Sequence, residues 1–461
     1  MRSKNCTGLW VILVVIAGYI SSCKKNFLDK KPSSDLVVPT TLEDFQALLD
    51  NDIVMRETPV LGELSADNLY LDSTFWGTID TKEHNAYIWA RDIYENKGNV
   101  DDWGLPYQQV FYANVVLDGL PGVAVDSTNR DQWNALKGAA YFIRAYAFWN
   151  VAQVFAPVYN SATATTDLGI PLRLTSDVNQ VSTRASIKQT YDQILSDLQQ
   201  ASALLPEAIP FSNLNRPSKP AALAMLARVC LSMGEFAQAG DYANSCLMAY
   251  PVLQDYNSVT GMGILPFKKP NSEILYESHM LTSTEVISAF FHPLCIVDSD
   301  LYNSYTPNDL RKQVFYTVNA MGLPNIRGSY NVSIYPFTGL ATDEVYLISA
   351  ECFARAGNYT TAISTLNTLL SYRWATGTFV PYTATNANDA LAIIMSERRK
   401  ELAFRGLRWT DLRRMNSMGN ETTLLRVMNG ITYTLQPNSL RYVLPIPPDV
   451  IALSGMIQNP R

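Results

Sequence analysis

Residues able to carry out acid–base or metal chemistry are few in this chain, and their spacing matches no catalytic motif. His84, His279 and His292 are the only histidines, and none stands in a spacing that binds a metal. No P-loop, nucleophile elbow or dinucleotide fingerprint occurs. Asp101 and Asp102 are adjacent acids and are expected to open the following helix, although carboxylates facing each other across a cleft leave no sequence signature. The sequence therefore predicts a protein that is not an enzyme and needs no metal or other cofactor.

Aromatic and planar polar side chains in loop segments suggest a different chemistry, the binding of uncharged ligands. Sugar rings pack their C–H faces on Trp or Tyr, and their hydroxyls pair with Asn, Asp and Arg. The best stretch is SADNLYLDSTFWGT (65–78), and a second is DLYNSYTPNDLRKQVFY (300–316). Packing within the loops is the alternative role for each aromatic. The candidate ligand-binding residues are Asp67, Asn68, Tyr70, Trp76, Trp89, Tyr302, Tyr305 and Tyr330.

The stretch SERRKELAFRGLRWTDLRR (396–414) concentrates positive charge, with six Arg and one Lys against three acids. Such a cluster could contact phosphates, but its apolar residues interleave too densely for a solvated basic face. Glu401 stands four residues before Arg405, a favourable spacing for a helix pair, and Gly406 is expected to end or bend the helix. We interpret the stretch as structural. Its signature residues are Glu397, Arg398, Glu401, Arg408, Trp409 and Asp411.

Composition agrees with a folded protein that binds neutral partners. The 461 residues are 47% hydrophobic, which argues against disorder, and the net charge of -6 argues against nucleic-acid binding. Charged residues make up only 17% of the chain, whereas Tyr alone numbers 25. A surface poor in charge and rich in Tyr suits sugars or peptides.

The N-terminus resembles a bacterial lipoprotein signal peptide. Basic residues precede a 12-residue apolar run (9–20), which is too short to span a bilayer, and ISSC (20–23) is similar to a lipobox. That similarity implies removal of residues 1–22 and lipidation of Cys23, which would anchor the protein stably. An ordinary signal peptide with a chance cysteine is the alternative. Of the remaining cysteines, Cys230 and Cys246 could form a disulfide, which the sequence does not decide.

Two segments of the chain align without gaps at an offset of 123 residues, 221–251 and 344–374. Each reads as a helix, a turn at Gly234 or Gly357, and a second helix that carries a small Ala at the closest crossing. This spacing resembles the tetratricopeptide pattern. Helix pairs are predicted near 106–155, 186–250 and 342–414, with Ser186 as an N-cap. Loop-rich insertions are predicted near 51–104, 156–185 and 252–340.

Taken in order, these segments resemble the SusD/RagB outer-membrane lipoproteins of Bacteroidetes. The resemblance rests on CKKNFLDKKP (23–32), ALKGAAYFIRAYAFWNVAQVF (135–155), both helix-pair repeats, the basic stretch and LPIPPDVIALSGMIQNP (444–460). It implies a mostly α fold, a single domain over 23–461 with tetratricopeptide-like helix pairs and a loop-rich ligand-binding half. NDLR resembles the family's DPR signature, and Asp309 and Arg311 are expected to brace their loop.

The resemblance also implies a function. Family members bind a glycan or peptide at the cell surface and serve a SusC-like TonB-dependent outer-membrane transporter. We therefore expect an oligosaccharide or peptide ligand, a membrane anchor, an outward-facing position and no nucleic-acid partner. Lys24 and Lys25 follow Cys23 where acids often accompany surface export, so the outward orientation rests on the family alone. A periplasm-facing tetratricopeptide scaffold that binds other proteins is the alternative.

Overall fold

Helices make up most of the regular structure. The computed structural model describes residues 39–259, 263, 265–283, 285–288, 293–328 and 330–461; the predicted signal peptide, Cys23 and His292 lie outside them. No described helix is long and apolar enough to cross a membrane. In chain order the helices are α1 (Leu42–Leu49), α2 (Asp52–Met55), α3 (Leu61–Ser65), α4 (Ser73–Trp76), α5 (Thr81–Tyr87), α6 (Asp101–Gly119), α7 (Arg130–Phe155), α8 (Ile187–Leu204), α9 (Lys219–Met233), α10 (Phe236–Ala249), α11 (Glu285–Ser288), α12 (Ser299–Asn303), α13 (Arg311–Phe315), α14 (Thr342–Arg355), α15 (Tyr359–Leu370), α16 (Ala387–Glu401), α17 (Arg408–Ser417) and α18 (Pro448–Ser454).

Strands are short and pair in twos among the described residues. The first pair is parallel and the others are antiparallel. The last pair is a hairpin whose turn, Asn429-Gly430, has positive φ at both residues, as a tight two-residue turn requires. The pairs are β1 (Glu57–Thr58) with β6 (His279–Met280), β2 (Leu69–Leu71) with β7 (Cys295–Val297), β3 (Leu168–Pro171) with β4 (Arg184–Ser186), β5 (Ile274–Tyr276) with β10 (Leu340–Ala341), β8 (Tyr316–Val318) with β9 (Pro324–Ile326), and β11 (Leu424–Met428) with β12 (Ile431–Leu435).

The long helices pack in succession along the chain. Helix α6 packs on α7, α7 on α8, α8 on α9 and α9 on α10, after which α10 meets α14, and α14 meets α15 and α16. Helix α7 is buried on several sides because Ala and aromatic residues alternate around it, with Phe142, Phe148 and Phe155 fully buried. The predicted mostly α fold is confirmed. Short helices and strands occupy the predicted insertions.

Both repeats form the expected helix pairs, α9 with α10 and α14 with α15. Gly234 and Gly357 follow their first helices at φ +81 and +84, the left-handed region where a side chain is strained. Ala239 and Ala362 are fully buried where the helices approach each other. Of the aromatic residues beside the two turns, Phe236 is partly buried under the Arg355 guanidinium, whereas Tyr359 is 37% exposed.

Helix α8 begins at its predicted cap. The Ser186 hydroxyl accepts a hydrogen bond from the Gln189 N–H, and the Gln189 side chain accepts one from the Ser186 N–H, which makes a capping box. The apolar side chains of this segment are buried at Ile187, Tyr191, Ile194, Leu198 and Leu205.

Four cysteines of the described chain are free thiols. Cys230, Cys246, Cys295 and Cys352 are buried, and Cys230 and Cys246 form no disulfide. Burial in apolar surroundings raises the pKa of each thiol to about 12. They act as small hydrophobic side chains.

A group of charged side chains joins α16 to the loop before α13 and to β5. The Arg311 guanidinium lies 2.6 Å from Glu397 and 3.0 Å from Glu401, and Arg373 binds the other oxygen of Glu401 at 2.6 Å. Because every member is almost fully buried, these bonds hold distant segments together. We call this group the ion-pair core, which consists of Glu273, Asp309, Arg311, Arg373, Glu397 and Glu401.

The basic stretch is interior structure, but its partners differ from those predicted by spacing. Helix α16 ends at Glu401, so the expected Glu401–Arg405 helix pair does not form, and Arg405 binds Asp343 at 3.0 Å instead. Gly406 has φ +71 in the break before α17. Asp411 binds Arg398 and Arg414, each at 2.8 Å, and these charges lower its pKa although burial alone would raise it.

Candidate functional site

A surface recess of about 270 Å³ lies where the start of β2 meets the segment between β7 and α12. The end of α16 and the start of β11 complete its walls. It brings together three of the residues predicted to bind a ligand, Asp67, Tyr70 and Trp89. We call it the Tyr70 recess. The lining residues that matter most are Asp67, Tyr70, Trp89, Asp298, Asp300, Arg399 and Arg426.

Tyr70 is the open aromatic surface of this recess. Strand β2 alternates, so Leu69 and Leu71 are buried while the Tyr70 side chain between them is 42% exposed. Pairing with β7 places Tyr70 opposite Ile296, and the Leu71 N–H donates to the Tyr87 hydroxyl at 2.9 Å. The backbone is therefore held on both sides, and the ring is free to pack against a ligand.

Asp67 is a charged but already paired wall residue. Its two carboxylate oxygens accept hydrogen bonds from Arg408 Nε and Nη2 at 2.7 and 2.9 Å. Arg399 lies 3.4 Å away. Burial alone would raise the pKa of Asp67, but the bonds and charge of Arg408 outweigh burial and lower it. Asp67 therefore stays ionised and fixes the position of Arg408.

Arg399 links two sides of the recess. Its Nη2 donates to the Asp67 carbonyl at 2.9 Å and to Asp298 Oδ1 at 3.1 Å, while its Nε has no partner. Asp298 also accepts from the Leu301 N–H at 3.0 Å and so caps α12. Asp300, two residues further along the chain, is exposed. The recess therefore offers carboxylate oxygens and a guanidinium edge at fixed positions.

Arg426 forms the floor. Its guanidinium carbon lies 3.5 Å from the Tyr87 ring centroid and 4.7 Å from that of Trp89. The same group donates to the backbone carbonyls of Leu64, Ala66 and Tyr87. Burial lowers its pKa to about 10, which leaves it charged at neutral pH. Arg426 thus braces the loop that carries Asp67.

The charges of the recess nearly cancel. The carboxylates of Asp67, Asp298 and Asp300 are matched by Arg399 and Arg426, with Arg408 behind Asp67. Thr422 and Thr423 add hydroxyl groups at the rim. Fixed polar groups beside an exposed ring suit an uncharged ligand with many hydroxyls, since both donors and acceptors are present.

Family models match the two ends of the chain. A SusD-like model described as starch-binding and associating with the outer membrane matches residues 26–231, and a SusD family model matches residues 332–461. The chain belongs to the SusD/RagB family.

Individual relatives extend over most of the chain at low identity. SusD-like protein P2 of Formosa agariphila is 24% identical over 423 residues, which cover 77% of this chain and 79% of that protein. A putative sugar binding protein from Bacteroides vulgatus shares the SusD/RagB fold at a TM-score of 0.73 and 20% identity, covering 92% of this chain and 99% of that one. A laminarin binding SusD-like protein aligns at a TM-score of 0.65 and 18% identity, covering 92% and 99% of the two chains.

Most of the other predicted aromatics lie inside this SusD/RagB-family fold rather than on its surface. Trp76 is 6% exposed and stacks on His84, Tyr305 is 2% exposed and donates to the Lys400 carbonyl, and Tyr330 is 4% exposed. Asn68 is fully buried and donates to Glu63 at 3.0 Å. The expectation that these side chains are open to a ligand is wrong in this structure, because neighbouring residues already cover them.

Trp89 and Tyr302 hold intermediate positions. Trp89 lines the Tyr70 recess but is only 2% exposed, and its Nε1 donates to the Ser65 carbonyl at 2.9 Å. Tyr302 is half-buried on α12, with Lys312 Nζ 4.4 Å and the Tyr316 ring 5.8 Å from its ring centroid. Trp89 therefore supports the floor, whereas Tyr302 packs beside Lys312 and Tyr316 and does not line the recess.

Several residues of the recess were missed from the sequence. Asp298 lies two residues before the second candidate stretch, and Arg399 lies in the basic stretch interpreted as purely structural. The alternation of Leu69, Tyr70 and Leu71 was a usable signal, since it singles out Tyr70 as the outward residue. Nothing local in the sequence identifies Arg426, which reaches the site from β11.

Among the described residues, no group of three or more His, Cys, Asp or Glu could hold a metal. Asp102 accepts from the Val60 and Leu61 N–H groups at 2.7 and 2.8 Å, and burial raises its pKa to about 6. As expected, Asp101 and Asp102 open α6. His279 makes a local contact, with Nδ1 2.9 Å from the Met280 carbonyl.

Proposed function

We propose that this chain captures a neutral glycan in the Tyr70 recess and delivers it to a TonB-dependent outer-membrane transporter. The observation that carries the proposal is the exposed ring of Tyr70, which stands beside fixed carboxylates and a guanidinium whose charges nearly cancel. A sugar ring can pack on the tyrosine while its hydroxyls bind Asp298, Asp300 and Arg399. The family description as starch-binding and the laminarin-binding structural neighbour support a glycan over a peptide.

Calorimetry on the purified full chain in detergent tests the ligand class. Laminarin is the first probe, with starch and a mixture of short peptides as comparisons. We expect a neutral glycan to bind, with an affinity that changes little between low and high salt, because exposed charge attraction contributes little to it. Binding of the peptides alone, or a steep loss of glycan binding with salt, would contradict the proposal.

Lipidation of Cys23 is the proposed means of attachment. Acyl chains on the cysteine would hold the protein on the membrane without a spanning helix. Mass spectrometry of the N-terminal peptide from native membranes should show an acylated Cys23, and Cys23→Ser should release the protein. An unmodified Cys23 in membrane-bound protein would contradict this anchor.

The transporter partnership and the outward orientation need experiments in whole cells. A detergent pull-down with the native protein should recover a large β-barrel protein, and protease added to intact cells should degrade the chain. Full protection from protease together with recovery of periplasmic proteins would instead support the scaffold alternative.

A further inference from the structure

A second recess, of about 190 Å³, lies at the C-terminal end of α17. Its walls come from α17, the segment 438–443, residues 157–158 that follow α7, and the C-terminal residues 459–460. We call it the Arg413 recess. No acidic residue is among those that line it, all of which the structure describes. The residues used below are Pro157, Arg413, Asn416, Asn438, Ser439, Leu440, Tyr442 and Val443.

Arg413 carries a buried charge without an acidic partner. The side chain is 4% exposed. Its two terminal nitrogens donate to the carbonyls of Gln153 and Ala156, at the C-terminal end of α7, and its Nε has no partner. Helix C-termini favour a cation, which explains the position of the side chain. The neighbouring Arg414 differs, because it binds both Glu351 and Asp411.

Two further buried groups without partners line the same recess. Asn416 is 2% exposed; its Oδ1 accepts from the Thr422 N–H at 2.9 Å, whereas its Nδ2 has no partner. The Tyr442 hydroxyl is also unpaired in a residue that is 4% exposed, and its ring is held by stacking on Trp409 at 4.7 Å. Burial raises the pKa of the Tyr442 hydroxyl, and the neighbouring Asn416 side chain opposes that rise.

These unpaired groups share one property, since each can donate a hydrogen bond. Buried donors without acceptors are unfavourable and are rare in folded proteins. Two of them, beside a guanidinium that has an unpaired Nε–H and no acidic partner, leave a place for an acceptor that carries negative charge. A carboxylate meets that requirement, because its oxygens accept several hydrogen bonds and pair strongly with arginine.

We propose that the Arg413 recess binds the carboxylate of a small sugar acid. The volume is far above the roughly 10–15 Å³ that a single water needs, so a ring-sized group fits. Pro157, Leu440 and Val443 supply apolar surface for the C–H face of a sugar ring. Asn438 and Ser439 stand near the rim and can bind its hydroxyls. The proposal concerns a different recess and does not depend on glycan binding at Tyr70.

Calorimetry with D-glucuronate, D-glucose and acetate tests this assignment on the purified full chain. Glucuronate should bind roughly tenfold or more tightly than glucose, since glucose lacks the charged acceptor, and more tightly than acetate, which lacks the ring. Glucuronate binding no tighter than glucose would overturn the carboxylate site. Acetate binding as tight as glucuronate would overturn the assignment to a sugar acid.

The Asn416→Asp substitution tests whether glucuronate binds in the Arg413 recess, because it changes the charge of the side chain but hardly its shape. The new carboxylate can still accept from the Thr422 N–H, but it neutralises Arg413 and repels an incoming anion. We expect glucuronate affinity to fall roughly tenfold or more, with an unchanged far-UV circular dichroism spectrum. Asn388→Asp, at an exposed position of α16, is the matched control and should bind as the native protein does.

Tyr442→Phe provides an independent readout, because it keeps the stacked ring and removes only the hydroxyl. It should weaken glucuronate binding severalfold and leave laminarin binding unchanged. Glucuronate binding that survives both Asn416→Asp and Tyr442→Phe at native affinity would overturn the proposal.

Discussion

The ion-pair core and the Tyr70 recess use the same residue types for different purposes. In the core, Arg311 and Arg373 are fully buried and surrounded by carboxylates, with Glu401 shared between them. In the recess, Arg399 is about a quarter exposed, and the nearby Asp300 is exposed. Charges with complete sets of buried partners hold segments together, whereas charges with unused bonding capacity at an opening can bind a ligand.

The largest effect is expected from breaking the core. Glu401→Ala removes the carboxylate that both arginines share and leaves Nη1 of Arg311 and Nε of Arg373 buried without an acceptor. Loss of one member of a buried pair typically costs about 3–5 kcal/mol of stability. We expect a fall of that size in the free energy of unfolding, measured with denaturant, while laminarin affinity of the folded fraction stays within about twofold of native.

Glu421→Ala is the matched control for Glu401→Ala, because Glu421 is exposed. It should change stability by less than about 0.5 kcal/mol. If both variants lost the same small amount, the ion-pair core would not be the stabilising element described above.

A second large loss of stability is expected from a substitution of Trp409, an apolar side chain that is as deeply buried as the charged side chains of the ion-pair core. Its Cδ1 lies 3.3 Å from where a Cβ on Gly62 would stand, so α17 and α3 approach closely there. Trp409→Ala opens a cavity, and we expect a loss of about 3 kcal/mol. Because Trp409 also holds Tyr442, glucuronate binding should weaken while laminarin binding persists. Tyr372→Ala, at a 39% exposed ring, is the control and should lose far less.

The sequence predicted those features that depend on residues close to one another along the chain. Helix pairs, the Ser186 cap and the left-handed turns at Gly234 and Gly357 follow from local periodicity and from backbone freedom. The interior character of the basic stretch also followed, because apolar residues interleave with its charges. The pairing of Glu401 with Arg405 failed since it assumed a helix that continues past Glu401.

The Tyr70 recess was only partly predictable, because it depends on contacts between distant segments. Arg408 binds Asp67 across 341 residues of sequence, and no spacing rule covers such a pair. Trp76 and Tyr305 are aromatic residues of the two candidate stretches, yet an aromatic ring fills a core as readily as it binds a ligand. Arg413 illustrates the opposite error. It belongs to the stretch interpreted as structural, yet it borders a recess and its Nε has no hydrogen-bond partner.

Glu63, a buried acid near Asp67 and Arg408, allows a test by pH. It is fully buried with Asn68 as a hydrogen-bond donor, and burial raises its pKa from 4.5 to about 7. A raised folded-state pKa means that the carboxyl favours folding while protonated, and that this contribution is lost as pH rises from about 4.5 through about 7. Glu63 should therefore destabilise the protein at pH 8 and not at pH 4.

Glu63→Gln should remove that dependence, because glutamine stays neutral and keeps an oxygen for Asn68. We expect the variant to be more stable than the native protein by about 2 kcal/mol at pH 8 and nearly equal to it at pH 4, measured by denaturant unfolding. Other buried acids are common to both proteins and cancel in the difference. An equal difference in the free energy of unfolding at pH 4 and pH 8 would show that Glu63 of the folded protein does not change its protonation state between these pH values.

The smallest effect on stability, and the most specific effect on binding, is expected at Tyr70. Tyr70→Ala removes an exposed ring from an outward position of β2, so stability should change by less than about 1 kcal/mol. If the ring is the surface on which a sugar packs, laminarin affinity should fall roughly tenfold, as expected for the loss of an aromatic contact. Tyr70→Phe keeps the ring and should keep most of the affinity, which separates stacking from hydrogen bonding. Native laminarin affinity in Tyr70→Ala would show that the glycan binds at another site. The contrast between a binding recess and a stabilising core would then rest on the Arg413 recess alone.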